Sequence, residues 1–413
     1  VVGLVTLKYL LSAHKQLSTT PVEARLFEAN NDIGGVFCTR VYEDAELVSF
    51  KYLTTFSDFR PHDSDPDFLS AKRYLQYLND YCEHFNLSPA IYLATVVIAV
   101  KRLETGVHMV SYRSKDGVVT EWACDAIAVC SGLHVTPSIP SIDGIDRVQT
   151  VIHSADFKAR SQFGVDKTVA ILGPGETGLD ISYLAITSPT KRVVLCHHDG
   201  FCAVPKQAPE PVMFPMFGGR SHPKPDPNVP IDTVVASLFD TAYVHPTLRD
   251  SKAHWNYYDN QQKTSMWFMS GTREGLDQWV GGIPEQRYHA SKTRLTKSAS
   301  SLLHKVYQGN PLYLCTISDS PIVHHVAENP LLDHASSNRR HIDLAPWPSH
   351  ISDHGLLHFQ DNGRPEYQRM RDEKVKPDVV ILATGYNQTF PFFETEGFHG
   401  SYPSASDADV REI

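Results

Sequence analysis

Gly173, Gly175 and Gly178 stand in the spacing G-x-G-x-x-G, with Glu176 and Thr177 between the last two. That spacing serves the holding of a dinucleotide. Bare Cα atoms let a pyrophosphate approach main-chain N–H groups and let the next helix close onto its strand. Other reactive groups are dispersed. The 21 histidines never form an i, i+4 pair with a glutamate, and His197-His198 and His324-His325 are neighbours that a strand would turn to opposite faces. No metal site is expected. The seven cysteines, at positions 38, 82, 124, 130, 196, 202 and 315, include no C-x-x-C pair. They read as reduced thiols in a reducing compartment, which argues against zinc and against a redox-active disulfide.

The elements that must position the three glycines are local. Val169 to Leu172 predicts a short apolar strand running into the turn, Ile181, Leu184 and Ala185 give the next run an apolar helical stripe, and Ser188-Pro189 stops it. Arg192 to Cys196 predicts a second strand parallel to the first, so residues 167 to 201 form one strand-turn-helix-strand unit.

A second, incomplete unit of the same kind opens the chain. Val1 to Leu11 predicts a buried helix, and Val22 to Phe27 a strand that ends at Glu28, 25 positions after Gly3. An acidic residue there is placed to hold a ribose hydroxyl pair, and Gly3 reads as the last glycine of a G-x-G-x-x-G. On that reading the first strand and two glycines precede Val1, and the sequence is expected to be a fragment. Asn30-Asn31-Asp32-Ile33-Gly34-Gly35-Val36-Phe37 follows, its glycine pair permitting a tight turn beside the same dinucleotide. Ala126 to Cys130 and Val379 to Leu382 predict short strands, each preceded by an aspartate, Asp125 and Asp378, and each ending in a small-residue turn.

With E-A-x-x-x-I-G-G-x-F, the run Leu47 to Phe59, Cys130-Ser131-Gly132, His153-Ser154-Ala155-Asp156-Phe157 and Leu382-Ala383-Thr384-Gly385-Tyr386 on the page, most of the chain resembles the class B flavin-containing monooxygenases, of the dimethylaniline monooxygenase type. The resemblance implies an α/β flavoprotein with two dinucleotide-binding domains, a Rossmann-type FAD domain interrupted by an NADPH domain. Residues 1–144 would begin the FAD domain, residues 151–340 would be the inserted NADPH domain with an aromatic-rich insertion at about 209–311, and residues 345–413 would return to the FAD domain, short of the family's usual carboxy terminus. FAD would lie against Gly3, Glu28, Gly34, Gly35, Val36, Phe37, Val48, Ser49, Thr384 and Gly385. NADPH would lie against Gly173, Gly175, Glu176, Thr177, Gly178, His198 and Lys206.

The family activity implied is hydride transfer from NADPH to FAD and capture of dioxygen at the flavin C4a carbon. The hydroperoxide then delivers one oxygen to a nitrogen or sulfur of a small lipophilic molecule. Oxygen insertion beside a ketone, a non-oxygenating FAD oxidoreductase and an inactive truncated product stay open. Several positions depart from the family. The F-x-G-x-x-x-H-x-x-x-[FYW] motif keeps only His153 and Phe157, and an asparagine beside the flavin in animal members falls on Val48, with Ser49 the nearest hydroxyl. Ser49 and His153 are therefore weak catalytic candidates, and His153 reads equally as a coupling residue between domains or a hydrogen-bonded linker residue. The family often has arginine where His198 stands. A group that titrates near pH ~6.5 would thus share the 2′-phosphate with Lys206, or with Lys292 or Arg294, while Asp199 sets a turn. NADPH is the expected cofactor.

Composition bounds the rest. With 38 basic against 47 acidic residues, a net charge of -9 and no basic block, nucleic acid is an unfavourable partner. The longest largely apolar run, Ala94 to Val100, is seven residues and suits a buried strand, whereas a bilayer span takes about 20. A small molecule and dioxygen are the partners expected, in an intracellular and most readily cytoplasmic setting, with membrane association left to residues beyond Ile413.

Overall fold

The computed structural model describes residues 1–198, 342–363 and 365–393, together with the short strands Val204–Pro205, Gln207–Glu210, Asp226–Pro230 and Ser298–Ala299. It divides into two compact units. One comprises Val1–Glu46, Thr55–Ser138 and the chain from Gly385, the other Leu47–Thr54 and Ile139–Thr384.

In the first unit helix α1 (Val2–Leu17) buries Leu4, Leu7 and Lys8 and leaves Tyr9 and Leu10 exposed. The expected buried helix is thus buried along one face only. The expected strand over 22–27 shortens to β1 (Leu26–Phe27), parallel to β2 (Ile91–Tyr92). A partner held between the Ser88–Ala90 turn and Ala94 at φ 49° offers no longer ladder. Strands β3 (Val96–Arg102), β4 (His108–Arg113) and β5 (Val119–Cys124) form an antiparallel sheet. Within it the apolar run 94–100 leads into an edge strand, with Val96 and Ile98 exposed and only Thr95 and Val100 buried. Alternation, not apolarity, describes that strand. Ala126 to Cys130 is not a strand at all, and Val129 is exposed. Apolar residues form a strand only where another chain segment takes up their N–H and C=O groups, and among the described residues none does.

Helix α2 (Val36–Thr39) packs on helix α4 (Ala71–His84), where Phe37 meets Tyr74 edge-on at 4.8 Å. Ser70 caps α4 by accepting the Arg73 N–H at 3.2 Å. The buried face of α4 is built on tyrosines. Tyr74, Tyr77 and Tyr81 are buried with Leu78 and Cys82, each ring adding a large apolar surface. Tyr77 Oη donates to Phe59 O at 2.7 Å and accepts from Phe56 N at 2.8 Å, which ties the preceding loop down.

The second unit is built on a parallel sheet of five strands. Its order is β14 (Ile342–Pro346), β9 (Arg192–His197), β8 (Thr168–Leu172), β17 (Val379–Leu382) and β7 (Thr150–His153), the four short strands noted above being β10–β13 and an antiparallel hairpin, Pro348–Ile351 with Leu357–Phe359, being β15–β16. Helix α5 (Glu176–Ile186) is buried continuously from Gly178 to Ile186, where a single stripe was expected. Because β17 pairs with both β8 and β7, the chain leaves this unit at Thr384. Residues 345–384, expected in the returning FAD domain, group with this unit, and the chain from Gly385 with the first. The expected aromatic-rich insertion at about 209–311 lies outside the described residues apart from Pro209, Glu210, Asp226–Pro230 and Ser298–Ala299.

Two carboxylates report on pH. The Arg73 guanidinium, at 2.7 and 2.9 Å, holds Asp65 below the usual carboxylate range, and the Thr168 N–H, then Lys167, does the same for Asp378. A depressed folded-state pKa contributes stability that is complete above the unfolded value of about 3.9 and lost as pH falls through the lower folded value. Thermal unfolding is thus expected to move to lower temperature below about pH 4, and Asp65→Asn should flatten that dependence while lowering Tm at pH 7. An unchanged pH slope in Asp65→Asn would count against the assignment. Among the described residues no helix is long and apolar enough to cross a membrane, and no three metal-ligating side chains cluster.

Candidate functional site

The glycine turn of the second unit sits where the sheet changes direction. From β8 the chain passes through α5 to β9 on one side, while β17 lies on the other, so the carboxyl ends of β8 and β17 flank the crevice in which open α/β sheets hold ligands. Gly173 has φ 109°, donates its N–H to Cys196 O at 3.0 Å, and would place a Cβ 2.4 Å from Ala383 O. Gly178 is closer still: a Cβ there would lie 1.8 Å from Gly173 O. Gly175 differs. It precedes the first turn of α5 with φ -71°, and an added Cβ meets nothing within 4 Å. Two glycines close the helix onto the sheet, and the third leaves open space before helix N–H groups that favour an anion. These residues fit a dinucleotide pyrophosphate. Glu176 and Thr177 open the helix, both half-buried.

His198 lies just past β9. Its exposed ring stacks on Trp347 with centroids 4.0 Å apart and planes at 17°, and its carbonyl accepts from Asn362 Nδ2 at 3.0 Å. The stack follows from register. Pro346 of β14 pairs with His197 of β9, so the next residues, Trp347 and His198, leave the ladder side by side. His197 points the other way, buried, with Nε2 3.0 Å from Glu366 Oε1 on helix α6 (Pro365–Met370). Trp347, Asn362 and Glu366 escaped the sequence reading because each lies more than 140 positions from the histidines in the chain. Lys206, Asp199, Lys292 and Arg294 lie outside the described residues.

The other candidates fall into place by unit. In the first, Gly34 is buried at φ 127°, where a Cβ would lie 2.3 Å from Leu75 Cδ2 and 2.8 Å from Cys38 Sγ; Gly35, at φ 58°, opens onto free space before Val36 and Phe37 of α2. A Cβ at Gly3 would lie 3.0 Å from Leu26 Cδ1 and 3.5 Å from Cys130 Cβ, the close approach of helix to strand that a final fingerprint glycine permits. Glu28 Oε1 accepts from Asn30 N at 2.9 Å and Nδ2 at 2.8 Å. Gly385, at φ 75°, accepts Ser138 N–H at 2.9 Å. Val48 and Ser49 group with the second unit instead, where Ser49 O accepts from Thr54 Oγ1 at 3.2 Å, and Thr384 is the last residue of that unit. His153 is buried at the end of β7, and its Nδ1 accepts the Ala155 N–H at 3.1 Å.

The sequence model of a family described as FMO-like, flavin-binding monooxygenase-like, matches residues 4–209. The chain is 50% identical over 414 residues to the monooxygenase cfoE of Aspergillus candidus, covering all of this chain and 67% of that protein. It is 41% identical over 421 residues to the monooxygenase PC-14 of Penicillium crustosum, covering all of this chain and 69% of that one. The chain thus spans about two thirds of the length of these relatives. Among solved structures, the S-allyl-L-cysteine S-oxygenase of Allium sativum matches with a TM-score of 0.52 and 16% identity, over 95% of this chain and 63% of that one. That likeness is one of fold.

Proposed function

Because the chain belongs to the flavin-binding monooxygenase-like family, we propose that it is the nucleotide-binding part of an FAD-dependent monooxygenase. It would use NADPH and dioxygen to oxygenate a soft nitrogen or sulfur in a small lipophilic molecule. The observation that carries this reading is a pair of turns, one in each unit, where a glycine opens onto free space at a helix start: Gly35 before α2 and Gly175 before α5.

FAD, when bound, supplies the redox and oxygen chemistry. The protein binds, orients and keeps water out. Gly173, Gly175 and Gly178 with the start of α5 would hold the pyrophosphate of NADPH, and His198 with Lys206 its 2′-phosphate. Glu28 would accept ribose hydroxyls of FAD, and Gly3, Gly34, Gly35, Val36, Phe37 and Gly385 of the same unit would bring backbone against the rest. The five described cysteines are free thiols, which supports a reducing, cytoplasmic setting.

The test is stoichiometric. With the FAD-loaded full-length protein and a panel of tertiary amines and thioethers, NADPH oxidised, dioxygen consumed and oxygenated product formed are expected in equal amounts. His198→Arg should raise the preference for NADPH over NADH, because arginine brings a permanent charge and a planar fork of donors to the 2′-phosphate. Dioxygen going wholly to hydrogen peroxide would replace the monooxygenase reading with an oxidase.

A further inference from the structure

Three glycine turns of the first unit, distant in sequence, meet at one side chain. Arg40 is the residue after α2, five positions past Gly35. Its Nη2 donates to Val135 O at 2.6 Å, three positions past Gly132, and its Cζ lies 4.7 Å from the ring centroid of Tyr386, the residue after Gly385. Gly35, Gly132 and Gly385 have φ of 58°, 84° and 75°, and a Cβ on any of them would meet nothing within 4 Å. All three turns thus present bare backbone to open space.

Arg40 Nη1 is buried, and among the described residues it has no acceptor. No carboxylate of the described residues offsets the guanidinium either. Its surroundings are Val135 O, the Tyr386 ring and, edge-on to that ring at 5.2 Å, His134, which burial and then the Arg40 charge hold below its ordinary pKa. A buried cationic N–H without an acceptor opposes folding, and the cost disappears if a ligand oxygen takes the bond. The position is informative because two of the open turns around it, those of Gly35 and Gly385, are turns to which the FAD reading assigns the cofactor.

We propose that Arg40 contacts FAD, donating from Nη1 to an acceptor oxygen of the bound cofactor; the proposal rests on the reading that the first unit holds FAD. A residue in this role makes the binding energy of the cofactor depend on a donor that is held ready, by Val135 O and Tyr386, before the cofactor arrives.

Arg40→Met and Arg40→Lys in the full-length protein test this, each measured with and without FAD. Arg40→Met should raise the Kd for FAD by roughly 10-fold or more, the loss of one charge-assisted hydrogen bond, with Arg40→Lys in between. The FAD-free proteins should unfold within roughly 3 °C of each other, because the lost Val135 contact is offset by removal of the orphaned donor. The gain in Tm on adding FAD should shrink in Arg40→Met. Wild-type FAD affinity in Arg40→Met would overturn the proposal, as would equal losses of Tm with and without FAD, the mark of a purely structural arginine. A wild-type protein that takes up no FAD would overturn both the proposal and the reading beneath it.

Discussion

Gly175→Ala is expected to fold and to bind nicotinamide dinucleotide poorly, whereas Gly178→Ala is expected to break the domain that does the binding. The contrast comes from where a methyl group would go. At Gly178 it would lie 1.8 Å from Gly173 O, a main-chain atom that cannot swing aside, because Gly173 is itself held by Cys196 O at 3.0 Å and pressed against Ala383. Relief requires α5 to lift from β8. Helix and strand share a core of residues such as Ile171, Leu172, Leu179 and Ile181, all at most 1% exposed, so a cost of about 3 kcal/mol or more is expected. At Gly175 the methyl group meets no atom within 4 Å and φ is -71°, which alanine adopts freely. The change at that capping position should cost about 1 kcal/mol or less. The space it enters is the space before the first N–H groups of the helix, so NADP+ affinity should fall by roughly 10-fold or more, 1.4 kcal/mol per factor of ten. Urea unfolding and calorimetric titration of the two variants separate the effects. Equal destabilisation by both, or wild-type NADP+ affinity in Gly175→Ala, would show that the turn is only a packing device.

The second large effect is expected at Glu366, a residue with no part in any motif. Its carboxylate meets His197 Nε2 at 3.0 Å, and both side chains are at least nine-tenths buried. Removing one partner of such a pair takes a buried hydrogen bond from the other, which costs more than the pair contributes when intact. Glu366→Ala should therefore lower stability by about 3 kcal/mol, while Glu366→Gln, which can still accept from Nε2, should lose about 1 kcal/mol. The damage should travel one residue further. Asn362, just before α6, holds the His198 carbonyl at 3.0 Å, so loosening α6 also frees the His198 ring from Trp347. Trp347 emission, compared with that of a Trp347→Phe control, reports that movement. A loss below about 0.5 kcal/mol in Glu366→Ala, the range of an ordinary surface change, would mean that the pair contributes nothing at this site.

Residue patterns foretold the elements of the second unit well and those of the first poorly. The strands at 168–172 and 192–197 and the helix between them were legible because their determinants are consecutive: apolar runs, three spaced glycines, a Ser-Pro stop. Ala126 to Cys130 misled because it carries the same kind of apolar run, yet a strand also needs a partner, and partners are not written locally. The run at 94–100 failed for a related reason: its residues could not say whether the sheet they joined would be covered on both faces.

By itself the chain's order of residues determined where a pyrophosphate could approach backbone, since only glycine tolerates φ of 109° at Gly173 or 127° at Gly34 and only glycine leaves room for Gly178 against Gly173. Those are short-range facts, set within a turn. Tertiary structure alone decided what stands beside the turns. It brought Trp347 under His198 through a one-residue continuation of the β14–β9 register, set Glu366 against His197, and set Val135 and Tyr386 beside Arg40. Each of these contacts joins residues 95 or more positions apart, as Arg40 and Val135 are. No local pattern encodes such a contact, because its geometry depends on how every intervening element has packed.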